Sequence, residues 1–301
     1  MRFPSFNQPV KEALQQSTQR LSQRQITNSQ INAEMLLAKV MGMNRVELYL
    51  NAEQCLTLEQ ENEFEKLLER RGSHEPLQYL LGETEFMSLP FKVSPAGLIP
   101  RPETELLVEL ILEKCAASTH YNILDIGTGT GCIAISLAHY LSNVNIVACD
   151  VDSAALQLAR ANAKLNGVST KINFIELDVF CADFSELTGG LFDVIVSNPP
   201  YISLDEFKQL APEVGRFEPR GALCDNGDGL SFYRCFSHLS QKMLSTEGSL
   251  FVEIGATQGK SVRALFEESF LETKIYKDLN QHDRVVIGSR LKNQTEWRSA
   301  R

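Results

Sequence analysis

The chain has no Cys-x-x-Cys pair. Its seven cysteines (Cys55, Cys115, Cys132, Cys149, Cys181, Cys224 and Cys235) never come closer than eleven positions, which excludes a zinc ribbon or a dithiol redox motif, and no metal site is expected. An odd, scattered set suits free thiols in a reducing compartment, most of them buried as small apolar residues. Long apolar runs are also missing. No stretch approaches the ~18 residues of a membrane span, and the opening MRFPSFNQPV has no apolar core of a signal peptide. A cytoplasmic protein away from membranes is expected. Positive charge is in short supply, with 29 Lys and Arg against 38 Asp and Glu and a net charge of -9. Binding nucleic acid through bulk charge needs Lys and Arg against phosphates, so only a local basic patch stays open to that use. Internal repeats and low-complexity segments are absent. What remains is an ordinary globular composition, 43% hydrophobic and 22% charged over 301 residues, enough for one large domain and a smaller one.

The first part of the chain reads as helical, at 8–24, 29–42 and 57–71. Ile31, Met35, Leu36 and Val40 fall near helical spacing. Thr57-Leu58-Glu59-Gln60 has the pattern of a capping box before Phe64, Leu67 and Leu68. Such a bundle either only packs on its neighbour or recognises a partner. From Gly82 to Pro102, prolines and glycines separate short apolar runs, and Phe86–Val93 with Gly97–Ile99 suggests a hairpin or extended linker at a domain boundary. Beyond Tyr121, apolar runs alternate with helical patterns. The runs are Asn122–Ile126, Asn145–Cys149, Lys171–Leu177, Phe192–Ser197, Ser249–Ile254, Thr273–Lys277 and Arg284–Gly288. The helical patterns are Cys132–Leu141, Ala154–Asn166, Leu230–Leu244 and Gln258–Ser269. That alternation predicts an α/β doubly wound parallel sheet, and the last two runs, with no helix between them, predict a hairpin that adds one antiparallel strand.

Asp125-Ile126-Gly127-Thr128-Gly129-Thr130-Gly131 lies between a strand and a helix. Its glycines let the backbone approach a ligand and offer amide donors at a helix N-terminus. The dinucleotide pattern GxGxxG is broken, because the third glycine comes one position early and Cys132 takes the sixth place. A tight turn with no ligand is the plain alternative, disfavoured by three glycines in five residues. Asp150 ends the next apolar strand, 19 positions after Gly131, where open parallel sheets bind ligands. A carboxylate there can accept from ribose hydroxyls, and Asp152 and Ser153 are better placed to cap the following helix. Asp178 ends the third strand. With Val179 and Phe180 it either holds a flat adenine ring or makes a turn.

Asn198-Pro199-Pro200-Tyr201 follows the strand Phe192–Ser197. Prolines hold the backbone extended and donate no N–H, so their carbonyls stand as acceptors. Asn198 adds a side-chain acceptor and Tyr201 a flat face. The set suits a planar amino group on an sp² carbon, a poor nucleophile whose lone pair two acceptors on its hydrogens can draw out of conjugation. An ordinary proline turn is the alternative.

Taken together, Asp125–Gly131, Asp150 and Asn198–Tyr201 resemble the class I methyltransferases of planar nitrogens. Other segments resemble the hallmarks of one family within that group, PrmC (HemK), the glutamine methyltransferases of peptide chain release factors. These are Arg70–Tyr79, Ile99-Pro100-Arg101-Pro102-Glu103-Thr104-Glu105, Phe217–Leu223 and Asp228-Gly229-Leu230. The likeness runs from about residue 8 to Arg290. The sister family that modifies a ribosomal protein has a Pro-Arg-Ser-Pro type sequence where this chain has Pro100–Thr104. The resemblance implies a Rossmann-like, seven-stranded, mostly parallel sheet over 101–291, an N-terminal helical domain for substrate recognition over 1–81, a β-hairpin linker over 82–100 and a tail over 292–301. It implies S-adenosyl-L-methionine as cofactor and the glutamine of the Gly-Gly-Gln motif of bacterial class 1 release factors as acceptor. It implies no direct nucleic acid contact, and a monomer is expected. The cofactor residues it implies are Asp125, Gly127, Thr128, Gly129, Thr130 and Gly131 around the methionine part, Asp150 on the ribose, Asp178 and Val179 at the adenine, and Asn198. Val179 stands where some members have tryptophan, which leaves less stacking area. Asn198 and the Pro199 carbonyl would hold the glutamine amide, with Pro200 and Tyr201 beside it and Arg101, Pro102 and Glu103 near the mouth. The rival readings are a DNA or other planar-amino methyltransferase, the ribosomal-protein enzyme, a nicotinamide dehydrogenase and a silent binding protein.

Overall fold

Periodicity alone explains most of the first helices. The computed structural model describes residues 8–115 and 119–292. In α1 (Val10–Gln23), Val10, Ala13, Ser17 and Leu21 form one buried stripe, the spacing that puts side chains on one helix face. α2 (Ser29–Met41) ends at Gly42 in the left-handed region, a usual helix stop. α3 (Arg45–Leu50) and α4 (Leu58–Gly72) each start on a reciprocal capping box, Asn44 with Glu47 and Thr57 with Gln60. α5 (Leu77–Leu81) stops at Gly82. Leu21, Leu36, Leu37, Leu48, Phe64 and Leu68 close the core of this unit. The chain divides into two compact units, one running up to Glu83 and also taking in Ala211–Phe217, the other holding the rest.

Within the helical unit Arg71 is buried. Its guanidinium donates to Asn32 Oδ1 at 2.6 Å, the Glu75 carbonyl at 2.9 Å and Glu213 Oε1 at 2.6 Å. A buried guanidinium is tolerated only when its donors are taken up in this way.

A short hairpin follows, β1 (Glu83–Phe86) and β2 (Leu89–Lys92). Of the hairpin or extended linker expected over Phe86–Val93 with Gly97–Ile99, the hairpin strands lie within 83–92 and Gly97–Ile99 forms no strand. Its turn is Met87-Ser88, both residues at positive φ (50° and 57°). Such turns usually advertise themselves by Asn-Gly or Gly-Gly, which this sequence lacks. α6 (Pro102–Lys114) is a further helix that the periodic pattern left out. Pro102 reads as a breaker, yet it occupies the first helical turn, where its missing N–H is needed by nothing.

The larger unit then alternates strand and helix. In chain order come β3 (Tyr121–Ile126), α7 (Cys132–Tyr140), β4 (Val144–Asp150), α8 (Ser153–Leu165), β5 (Ile172–Glu176), α9 (Phe184–Thr188) and β6 (Phe192–Ser197). The short helices α10 (Leu204–Phe207), α11 (Pro212–Phe217, which clusters with the helical unit) and α12 (Arg220–Leu223) lead to α13 (Ser231–Met243), β7 (Leu244–Glu253), α14 (Gly259–Ser269), β8 (Phe270–Lys277) and β9 (Asp283–Leu291). The seven strands lie in the order β5-β4-β3-β6-β7-β9-β8. All neighbours are parallel except β9, which runs antiparallel to β7 and β8. The predicted final hairpin is thus present, with its second strand inserted beside β7. Alternate residues feed two cores. Ile123, Val194, Val196 and Phe251 face α6 and α7 on one side, while Leu124, Ile195, Leu250 and Val252 face α13 and α14 on the other. No helix of the described residues is long and apolar enough to cross a membrane. The tail over 292–301, apart from Lys292, lies outside the described residues.

One buried side chain pins the hairpin to the sheet layer. Asn162 on α8 donates to the carbonyls of Lys92 and Thr130, both at 3.0 Å, and accepts from the Lys92 amide at 2.8 Å. Replacing it with alanine strands three backbone groups, the buried Thr130 carbonyl and the part-buried Lys92 amide and carbonyl, each costing ~1–3 kcal/mol when unsatisfied, with water relieving some of that cost. Asn162→Ala is therefore expected to lose about 2–4 kcal/mol of unfolding free energy in a urea titration followed by circular dichroism. A loss under ~1 kcal/mol contradicts this account.

Candidate functional site

A parallel sheet collects the carboxyl ends of its strands along one edge, and the order reverses there between β3 and β6, the switch point at which such sheets bind ligands. A cavity of about 450 Å³ lies at this edge, within the size range of small-molecule sites. Its wall is built from the Gly127–Thr130 loop, Asp150, Asp178-Val179-Phe180, Asn198-Pro199-Pro200 and Arg101.

The glycine loop is tighter than its sequence suggests. The amides of Gly127 and Thr128 both donate to the Cys149 carbonyl at 2.9 Å, and the Gly131 amide donates to the Thr128 carbonyl at 2.8 Å. Gly129 N–H donates to Asp150 Oδ2 at 2.8 Å. The expected row of amide donors is thus largely spent inside the protein. The glycines serve shape instead, with Gly127, Gly129 and Gly131 all at positive φ, where side chains are strained. At Gly131 a Cβ would also come within 2.8 Å of Ile135 Cδ1 and 3.1 Å of Ala159 Cβ.

Asp150 organises this loop. Besides Gly129, it accepts from the Asp152 amide at 3.0 Å, and Asp152 Oδ1 caps α8 through Ala154 N–H at 2.8 Å. Asp152 thus caps the helix as expected, whereas Asp150 already accepts from two amides and lines the cavity. Burial raises its pKa above the ordinary range, against the pull of the Asp152 and Gly129 amides. Directly beneath the loop, Asp125 is fully buried. Thr128 donates its hydroxyl to Oδ2 at 2.7 Å, and Oδ1 has no hydrogen-bond partner. Burial pushes its pKa up to about 7, with Thr128 pulling down. An orphaned, buried acceptor beside Asp150 suits a ligand that carries positive charge. At the far end, Asp178 accepts from Phe180 N–H at 2.9 Å, and Phe180 meets Phe232 with ring centroids 5.0 Å apart. Two aromatic side chains with Val179 make an apolar slot of the kind a flat heterocycle fills.

Asn198 follows β6, and its side-chain N–H donates to Thr104 Oγ1 at 3.2 Å. Arg101 is tied to Glu218, whose other oxygen accepts from Ile99 N–H at 3.3 Å. Glu218 therefore clamps the segment before α6 beside the cavity. Pro102, Glu103, Asp125, Gly131 and Tyr201 stand outside the cavity lining, and the Tyr201 carbonyl accepts from Gln258 Nε2 at 2.9 Å. Burial, followed by the Glu253 charge, raises the Tyr201 phenol. Sequence reasoning missed Phe232, Glu218, Gln258, Thr104 and Glu253 as site neighbours. Glu253 carried a signal, since it ends an apolar strand as Asp150 does, and Thr104 and Glu218 lie within segments that carry the family likeness.

The PrmC N-terminal domain family matches residues 12–82, and the methyltransferase small domain family matches 102–213. A release factor glutamine methyltransferase of Chlorobaculum tepidum is 40% identical over 280 residues, spanning 91% of this chain and 95% of that protein. One of Geobacter sulfurreducens is 37% identical, spanning 93% and 96%. Another, of Flavobacterium psychrophilum, is 42% identical over 257 residues, 84% of this chain and 88% of that one. Among solved structures, the hMettl16 catalytic domain in complex with MAT2A 3′UTR hairpin 6 superposes with a TM-score of 0.56 at 17% identity, over 75% of this chain and 83% of that one, a likeness of fold alone.

Asp125 and Glu253, both fully buried carboxyls pushed up to about 7, set a pH dependence. Between their unfolded values near ~4 and about 7 the folded chain holds protons that the unfolded chain releases, so these groups lower stability as pH rises through that window. Asp125→Asn removes one of them. Its unfolding free energy is expected to fall less steeply than that of the native chain from pH 5 to pH 8, by an amount on the order of 1–3 kcal/mol across the range. Parallel slopes in denaturant titrations run at four pH values count against the assignment.

Proposed function

The chain belongs to the release factor glutamine methyltransferase family, and from that footing we propose that it methylates the side-chain amide nitrogen of the glutamine in the Gly-Gly-Gln motif of class 1 release factors. The observation that carries this reading is the position of Asn198-Pro199-Pro200 in the wall of the same cavity as the glycine loop and Asp150. An amide acceptor and a methyl donor have to meet within one enclosed space. S-adenosyl-L-methionine, when bound, supplies an electrophilic sulfonium methyl group.

The donor set fits that cofactor. Asp150 sets a carboxylate on the cavity wall beside the loop, with the buried Asp125 carboxyl beneath it, where a cationic amino acid portion is favoured, and Asp150 retains lone pairs for ribose hydroxyls. Val179, Phe180 and Phe232 give the apolar slot for the base. Asn198 Oδ1 and the Pro199 carbonyl accept the two N–H groups of the glutamine amide and stabilise the positive charge that grows on nitrogen during transfer. Arg101, fixed by Glu218, borders the entrance.

Recognition of a whole factor is assigned to the helical unit. A pocket that reads one glutamine cannot by itself separate proteins. In that unit Val46, Tyr49 and Leu50 on α3 are 68%, 55% and 79% exposed, an apolar strip of the sort that marks a protein contact.

Three outcomes are expected. Asn198→Ala lowers methyl transfer to a release factor by at least ~100-fold while cofactor affinity stays within a few-fold. Intact-mass analysis of the factor and calorimetry with the cofactor decide it, and near-normal turnover removes Asn198 from its role. Asp150→Ala weakens cofactor binding by ~1.5–3 kcal/mol, whereas unchanged affinity makes the residue a loop brace only. Finally, Val46→Glu combined with Leu50→Glu raises KM for the whole factor ~10-fold or more, corresponding to the loss of ~1.4 kcal/mol of docking. The same variant leaves turnover on a short Gly-Gly-Gln peptide unchanged. Equal KM values on the whole factor mean the strip does not dock it.

A further inference from the structure

Asn198 sits at the end of a buried chain of side chains to which the sequence reading gave no role. Strands β6 and β7 are parallel neighbours with Ser197 opposite Val252, so the next residues, Asn198 and Glu253, come level at the edge of the sheet. Thr104, in the first turn of α6, bridges them. Its hydroxyl donates to Glu253 Oε2 at 2.6 Å, and its oxygen accepts from Asn198 Nδ2 at 3.2 Å. Both Thr104 and Glu253 are buried.

We infer that Thr104 and Glu253 are positioning residues that fix which end of the Asn198 amide faces the substrate. This rests on the acceptor role given to Asn198 above. A hydroxyl has one proton. When a carboxylate takes it, only lone pairs remain for Asn198, whose NH₂ must then turn to Thr104 and whose Oδ1 is left for the glutamine N–H groups. In the reversed orientation two donors face each other and the acceptor is lost. The order inverts when Glu253 carries a proton on Oε2, because the carboxyl then donates to Thr104 and frees the threonine proton for Asn198 Oδ1. The groups whose charge or hydroxyl bears on Glu253 are Thr104 and Glu103 on α6, Arg101 before it, Tyr201 after β6, Tyr233 on α13 and Arg284 on β9. Burial raises the Glu253 pKa to about 7, while Thr104 and then Arg284 pull it down. Neutral pH thus lies where the relay changes direction.

The test pairs Thr104→Val, which keeps the shape and removes the hydroxyl, with Thr104→Ser and Glu253→Gln. At saturating cofactor, Thr104→Val is expected to lower kcat on a release factor at least 10-fold, with KM for the factor and cofactor affinity within 3-fold. Thr104→Ser should restore kcat to within 3-fold of the native value. Native kcat should fall as pH drops from 8 to 6, and in Glu253→Gln it should vary less than 2-fold over that range, whatever its level. A merely structural role for Thr104 moves melting temperature without this split. The ¹⁵N side-chain resonances of Asn198, identified by their loss in Asn198→Ala, should shift in Thr104→Val and Glu253→Gln while other asparagine side chains stay. Native kcat in Thr104→Val together with an unshifted Asn198 signal overturns the relay. Should Thr104→Val fail to fold, Glu253→Gln decides through its pH profile and the same resonance. A native enzyme that leaves the factor unmethylated overturns the functional reading instead, and the resonance still decides the relay.

Discussion

A strand that runs parallel to its neighbour cannot be entered by a tight turn, and this constraint shapes the larger unit. Each parallel pair needs a crossover long enough to return the chain to the starting edge. β3 to β4, β4 to β5 and β6 to β7 are each joined in that way. All their carboxyl ends then emerge together, and the residues that follow them need no other device to become neighbours. Asp125 precedes the loop after β3, Asp150 closes β4, Asn198 follows β6 and Glu253 closes β7. These polar groups lie far apart in the chain and meet because backbone pairing leaves them nowhere else to go.

That geometry explains what the sequence disclosed. Strand ends are legible because apolar runs stop abruptly at a polar residue, as at Asp150 and Asn198, and the long helices are legible because two or more turns of period 3.6 stand out from noise. α3 and α5 have six and five residues, too few to show a period. α6 hid behind Pro102, and the hairpin turn at Met87-Ser88 lacks the residues that usually announce positive φ. In the site, residues within a contiguous motif were legible, whereas the pairings of Thr104 with Asn198, Glu218 with Arg101 and Gln258 with Tyr201 span 94, 117 and 57 positions, and a single sequence holds no signal for which side chains meet over such distances. The glycine loop was located correctly and its amides misjudged. Donors can be counted from sequence, but whether a carbonyl such as that of Cys149 already occupies them cannot.

Two buried carboxyls at the same edge are costly to the fold, since each loses hydration without full compensation. Asp125 keeps an unpartnered oxygen and Glu253 has a threonine hydroxyl on Oε2. Apolar residues at both places would pack better. Their places at the carboxyl ends of β3 and β7, the edge at which the cavity opens, are the pattern of a site that sacrifices stability for chemistry.

The helical unit is discontinuous, because Ala211–Phe217 clusters with it across a long stretch of the other unit. Glu213 reaches Arg71 from 142 positions downstream. During synthesis at about 5–20 residues per second, the guanidinium of Arg71 waits roughly 7–30 s for that carboxylate to leave the ribosome. Until then, Asn32 and Glu75 are its partners within the segment already made. The five N-terminal helices can therefore condense early, but their last ion pair closes only after β3 to β6 have been synthesised. A nascent chain interrupted before residue 213 carries a bundle with one cation left over, and the finished unit carries, in that single contact, a record that translation has passed the Asn198-Pro199-Pro200-Tyr201 segment.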